Sequence, residues 1–181
     1  MMAAKEMSSM AAQKQFQGWW HYWLVVNLPE AISRKLLLPK QAGCMAAFLA
    51  REGMENTLIR WMQKIFSQQQ QVELTLELLQ PDHQQPPCWQ VENPAVFEQL
   101  RQQLYALNPY LQGSECPAIQ FGSFIQWKLP SGSHAGSMLV QSTRIQFSLQ
   151  EFILYRKPYH AGEAKQIQVF GLKPPIPQSI R

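Results

Sequence analysis

Charged side chains are scarce in this sequence: only 15% of its 181 residues are Asp, Glu, Lys or Arg, against about 25% in an average domain. Glutamine takes the place of much of the missing charge, as in the run from Gln68 to Gln71. The formal charge is +4. Such a mildly basic chain is compatible with a polyanionic ligand, but its charge alone does not identify one.

Cysteine is also scarce. Cys44, Cys88 and Cys116 lie far apart, are odd in number and include no Cys-x-x-Cys pair. This spacing indicates neither a zinc site nor a disulfide framework, so we expect no metal and no cofactor. Reduced, buried thiols are typical of a cytoplasmic protein, which is the location that we expect.

Long apolar runs are missing too, since none approaches the roughly 18 residues that span a bilayer, and we expect no membrane contact. Residues 1–17 lack the basic start, apolar stretch and cleavage site of a signal peptide. We predict a flexible N-terminal tail over residues 1–18, a single domain over residues 19–174 and a C-terminal tail over residues 175–181.

Hydrophobic periodicity predicts alternating strands and helices through the domain. The first main helix is expected over residues 52–67, and Asn93 is expected to cap a second one, with Pro94 at its first position. Strands are expected at residues 22–29, 43–49, 72–78, 88–91, 144–155 and 165–171, an extended segment at 119–129 and a short helix at 30–37. The order strand, helix, strands occurs twice. It predicts an α+β fold of two pseudo-symmetric lobes around a central groove, each lobe a small antiparallel sheet with a main helix.

Several segments share their order and local pattern with one known family. Residues 22–30, Tyr-Trp-Leu-Val-Val-Asn-Leu-Pro-Glu, are similar to a first strand that ends in Leu-Pro before a helix. Residues 47–49 with 52–53 resemble the stretch after that family's first histidine motif, and residues 147–155 and 166–172 resemble its late strands. The chain in this respect resembles the 2H phosphoesterase superfamily, in its bacterial 2′-5′ RNA ligase-like branch of RNA 2′,3′-cyclic phosphodiesterases.

The resemblance implies two His-x-Thr/Ser motifs, one in each lobe, that face each other across the groove. One imidazole takes a proton and the other protonates the leaving oxygen, which suits groups with a pKa of about 6.5. In register, the first motif falls on Gly43 and Met45 and the second on Phe124 and Gln126. Neither glycine nor phenylalanine can carry a proton at a histidine position. No histidine of the chain begins a His-x-Ser/Thr triplet, the four being His21, His83, His134 and His160.

We therefore predict no catalytic residues, because each such acid–base group typically contributes about 10²–10⁴-fold to the rate. The expected function is that of a degenerate 2H-like protein, which binds RNA or a nucleotide or serves as a protein scaffold. The binding groove is predicted to contain Asn27, Met45, Phe124, Gln126 and Lys128. Aromatic residues there either stack on a base or fill a cavity that is no longer used for catalysis.

An active hydrolase with altered catalytic residues is one alternative. It would need a cluster such as Cys44 with a histidine and a carboxylate, or a mobile substitute acid such as His134, which is more often a solvated loop residue. A structural subunit of a larger complex is another alternative.

Trp19, Trp20 and Trp23 form the edge at which a protein partner would bind such a subunit, although tryptophans of this kind commonly anchor a strand to the core. The Arg156-Lys157 pair with Lys165 is interpreted as a solvated turn, with a phosphate clamp as the alternative.

Overall fold

The computed structural model describes residues 18–38, 41–79, 88–106, 126–128, 144–159 and 162–175. The strands are β1 (Trp19–Asn27), β2 (Gln41–Arg51), β3 (Val72–Leu79), β4 (Cys88–Val91), β5 (Gln126–Lys128), β6 (Arg144–Leu149), β7 (Glu151–Pro158) and β8 (Lys165–Gly171). The helices are α1 (Glu30–Leu36), α2 (Glu55–Phe66) and α3 (Glu98–Tyr105), with 3-10 turns at Glu52–Met54 and Pro94–Phe97. Within these ranges no helix has the length and apolar character needed to cross a membrane.

The strands form two antiparallel sheets of four strands each in the described part of the chain. Sheet 1 has the order β2-β1-β7-β8, and sheet 2 has the order β5-β4-β3-β6. The predicted α+β fold with two small antiparallel sheets is confirmed. Sheet 1 joins two strands from the start of the domain to two from its end. The central pair, β1 and β7, is therefore far apart along the chain.

The chain passes from sheet 2 to sheet 1 at Gln150, inside the segment predicted as one strand over residues 144–155. β6 ends at Leu149 and β7 begins at Glu151, so that prediction is wrong. The carbonyl of Gln150 accepts a hydrogen bond of 2.8 Å from the N–H of Leu172. The sequence does contain a sign of the change, because the core-facing positions shift from odd numbers in β6 to even numbers in β7.

One hydrophobic core lies between the helices and both sheets. In α2, Leu58, Met62 and Phe66 are buried at intervals of four residues, which places them on one side of the helix. Phe66 packs against Phe152 of β7 and Phe170 of β8, with ring centroids 5.1 and 4.8 Å apart. These contacts place α2 on one face of sheet 1. The opposite face of the sheet carries a different set of side chains.

The second main helix differs from its prediction at the start. Asn93 lies at the N-cap position before Pro94, as predicted, but its side chain makes no capping hydrogen bond. Pro94 opens a 3-10 turn, and α3 begins only at Glu98. Leu100 and Leu104 are buried as the periodicity predicts.

Candidate functional site

The two faces of sheet 1 carry different side chains because neighbouring residues of a strand point in opposite directions. In β1, Tyr22, Leu24 and Val26 belong to the core. The alternate positions Trp19, His21 and Trp23 lie on the opposite face, where they are half-buried. With Tyr155 and Tyr159 they form a surface that we call the aromatic face.

The aromatic face contains two pairs of nearly parallel rings. Trp23 pairs with Tyr155 of β7, its register partner, with centroids 5.9 Å apart and an angle of 17° between the planes. His21 pairs with Tyr159, with centroids 4.9 Å apart and an angle of 11°. The N–H of Tyr159 donates a hydrogen bond of 3.1 Å to the carbonyl of Trp19, which holds this residue beside β1 after β7 has ended. Each pair is within the range of favourable aromatic contact.

Two exposed cations flank these rings. Lys157 lies opposite His21 in the register of β1 and β7. Arg51 lies opposite Trp19 in the register of β1 and β2, and its guanidinium carbon is 5.3 Å from the centroid of the Trp19 ring. Burial, and then the charge of Lys157, lower the pKa of His21, which favours its neutral form. The surface therefore combines neutral rings with positive charge.

The predicted groove residue Asn27 lies at the other end of the same face. Its Nδ2 donates a hydrogen bond of 2.7 Å to Oε2 of Glu151. Val25 and Ile153, which are register partners, separate this pair from the rings and are only 6% and 3% exposed. Asn27 is thus hydrogen-bonded to a carboxylate, and two buried side chains separate it from the rings of the aromatic face.

The two positions predicted for the first catalytic motif are irregular in the backbone. Val25 pairs with Cys44 and the neighbouring register shifts leave Gly43 and Met45 without a partner in β1, as in β-bulges. Bulges often lie near active sites, where they change the direction of a side chain. β2 also contacts β5, the strand that contains Gln126, so segments predicted for both motifs lie near each other.

Two other predicted groove residues lie in β5. Gln126 lies opposite Gln90, and Lys128 lies opposite Cys88, in the register of β4 and β5. Phe124 and His134 lie outside the described residues. The proposed roles of these residues stay predictions.

The interpretation of Arg156 as part of a solvated turn is wrong. Arg156 lies within β7, its side chain is 22% exposed, and its Nη1 is 2.5 Å from Oε2 of Glu55 in α2. Its guanidinium carbon is 4.4 Å from the ring centroid of Trp20. Strand alternation places Arg156 on the core side and Lys157 on the aromatic side, so the two do not act as one basic pair. Lys157 and Lys165 are exposed.

The same alternation divides the three tryptophans of the expected protein-binding edge. Trp20 lies on the core side under Arg156, whereas Trp19 and Trp23 lie on the aromatic face. The predicted strand begins at Tyr22 and therefore does not reveal the aromatic face. A strand from Trp19 places the rings of residues 19, 21 and 23 on one side.

Metal binding finds no support in the described ranges, where no group of three or more His, Cys, Asp or Glu side chains could hold an ion. Cys88 is a free, half-buried thiol.

The sequence matches no protein-family model and no curated protein. The structure is similar to that of E. coli LigT complexed with NADP+, with a TM-score of 0.51 and 15% sequence identity over 84% of this chain and 97% of that chain. It is also similar to TT0787 of Thermus thermophilus, with a TM-score of 0.51 and 13% identity over 85% of this chain and 98% of that chain. The chain therefore has the LigT-like 2H phosphoesterase fold that the sequence resemblance predicts.

Proposed function

We propose that this protein binds a nucleotide or single-stranded RNA on its aromatic face and does not hydrolyse it. The observation that carries the proposal is the pair of ring stacks, Trp23 with Tyr155 and His21 with Tyr159, beside exposed cations. Aromatic side chains bind bases by stacking, with about 1–3 kcal/mol for each base. Stacking of this kind tolerates different bases, because every base has a π-face.

The charge on this surface suits a phosphate. Lys157 and Arg51 lie at its two sides. Among the described positions of β1, β2 and β7 that share this face, Glu151 is the carboxylate, and it lies beyond Val25 with Asn27 as its donor. On this face of the three strands, a phosphate near Lys157 would therefore meet a positive charge, whereas Glu151 lies at the opposite end.

The positions of the histidines support the proposed absence of hydrolysis. The chain has no His-x-Ser/Thr triplet, so the two-imidazole chemistry of active 2H enzymes lacks its proton carriers. His21 is the histidine that falls within the described ranges. It lies flat against Tyr159, and its register partner is the cation Lys157, which cannot orient it as a general base in the way that a carboxylate does.

The fold gives this proposal a second support. The E. coli LigT structure of the same fold contains NADP+, a nucleotide ligand. If this chain binds a nucleotide, it shares a class of ligand with LigT but lacks the two histidine motifs for hydrolysis.

Titration of the intrinsic tryptophan fluorescence with a short single-stranded RNA tests the proposal. We expect saturable quenching with the unchanged protein. Trp23→Leu should lower the affinity about 5- to 150-fold, since one stacking contact is removed. Lys157→Gln should weaken binding and lower the salt dependence, whose slope changes by about 0.7 for each phosphate contact on a single strand.

Lys165→Gln is the matched control for the charge. Lys165 is also exposed and lies on the neighbouring strand, but it is the register partner of Arg156, on the core side of the sheet. Equal losses in the two lysine variants would mean that binding follows the overall charge and not the aromatic face. No saturable quenching with the unchanged protein would contradict the proposal itself.

A further inference from the structure

We infer that the aromatic face binds two successive nucleotides of a single strand, so that its ligand is an oligonucleotide and not a mononucleotide. The inference rests on the proposed function and specifies its ligand. It follows from the presence of two ring pairs, their spacing along β1, and the position of the cations.

The two ring pairs are separate neighbours along β1. Trp23 and His21 are two residues apart on one side of the strand, which corresponds to about 7 Å. Bases stacked in a helix are only about 3.4 Å apart. Two successive bases, one on each pair, must therefore be unstacked from each other, as in single strands whose bases are splayed on a four-stranded sheet.

Neither ring pair has room for a base between its two rings. The centroid distances are 5.9 Å for Trp23 and Tyr155 and 4.9 Å for His21 and Tyr159. A base inserted between two rings needs two contacts of at least about 3.5 Å each, or about 7 Å in all. A base therefore stacks on the outside of a pair, and two pairs provide two base positions.

The surroundings bound these two positions on both sides. On the side of Trp19, the guanidinium of Arg51 lies over the ring and takes up a face on which a base would stack. Beyond Trp23, the buried Val25 and Ile153 offer no accessible ring, and Glu151 would repel a phosphate. Beside His21, Lys157 is placed to neutralise the phosphate of the second nucleotide. The positive end of the site is therefore the end near His21.

Isothermal titration with a mononucleotide, a dinucleotide and a tetranucleotide of the same base tests this inference. The dinucleotide should bind about 5- to 150-fold more tightly than the mononucleotide, because it adds one stacked base. Extending the dinucleotide to a tetranucleotide should raise the affinity by a smaller factor than the second nucleotide does. A double-stranded RNA that is long enough to stay paired should bind much more weakly, because its bases are stacked and paired.

His21→Ala removes one ring of the second pair and should lower the ratio of dinucleotide to mononucleotide affinity. Lys165→Gln should leave that ratio unchanged, and circular dichroism shows whether each variant is folded. Equal affinity for the mononucleotide and the dinucleotide would overturn the two-nucleotide site but leave nucleotide binding intact. Failure of every ligand to bind would remove the proposed function and this inference together.

Discussion

The contact between α2 and β7 gives the sharpest prediction for stability. Oε2 of Glu55 accepts a hydrogen bond of 3.1 Å from the Tyr22 hydroxyl and lies 2.5 Å from Nη1 of Arg156. The same guanidinium lies over the ring of Trp20. Arg156→Met retains most of the aliphatic stem but removes the charge. Among the described residues, Glu55 would then keep Tyr22 as its hydrogen-bond partner.

The size of the effect follows from the partial burial of this pair. A hydrogen bond to a charged group contributes about 1.5–3 kcal/mol, and a cation–π contact contributes about 0.5–2 kcal/mol. The two side chains are 22% and 20% exposed, so solvent reduces the electrostatic part. We expect Arg156→Met to lower the free energy of unfolding by about 2 kcal/mol, or the Tm by about 4–8 °C for a chain of this length.

Urea unfolding followed by circular dichroism measures this loss, with Arg144→Met as the matched control. Arg144 lies in β6 and is bound to Glu92 at 2.7 Å, but its side chain is 67% exposed. An exposed pair contributes at most about 1 kcal/mol. If the two variants lose the same stability, the contact between Glu55 and Arg156 is no stronger than a surface ion pair and this explanation is wrong.

Three further changes test other parts of the structure by the same unfolding assay. Burial and then Glu55 raise the pKa of Tyr22 well above its usual value of 10.0. The unfolded chain therefore ionises first as the pH rises, and stability that is complete below about pH 10 declines above it; Tyr22→Phe should reduce this alkaline decline. Trp89→Phe leaves the carbonyl of Leu36 without its 2.9 Å donor and should cost about 2–4 kcal/mol, whereas an unchanged Tm would contradict its buried role. Gly162 has φ +124° and its added methyl group would lie 3.0 Å from Pro158, so Gly162→Ala should cost about 1–3 kcal/mol; no loss would contradict this turn geometry.

The sequence predicts most of the fold because periodicity identifies buried faces. The spacing of Leu58, Met62 and Phe66 in α2 shows which side of the helix is packed, and β4 and β8 have the predicted bounds. The pairing of strands is harder to predict, because alternation shows which residues of a strand are buried but not which strand lies beside it. At Gln150 the alternation does change phase, but it does not show that the chain enters a different sheet.

The candidate site is less predictable because it depends on which strands are neighbours. Trp23 and Tyr155 are far apart in sequence and meet only because β1 pairs with β7. The adjacent residues Arg156 and Lys157 look like one basic pair in the sequence, but the strand separates them onto two faces. The irregular register at Gly43 and Met45 also depends on pairing with β1, so a motif alignment alone could not show it.

Binding and turnover of one ligand, measured in the same sample, test the central claim most directly. The ligand is a short single-stranded RNA that ends in a 2′,3′-cyclic phosphate, followed by tryptophan fluorescence for binding and by chromatography for opening of the cyclic phosphate. We predict saturable quenching that Trp23→Leu weakens, with the cyclic phosphate intact after prolonged incubation. Catalytic opening of the cyclic phosphate by the purified protein, or the absence of saturable binding, would contradict the claim.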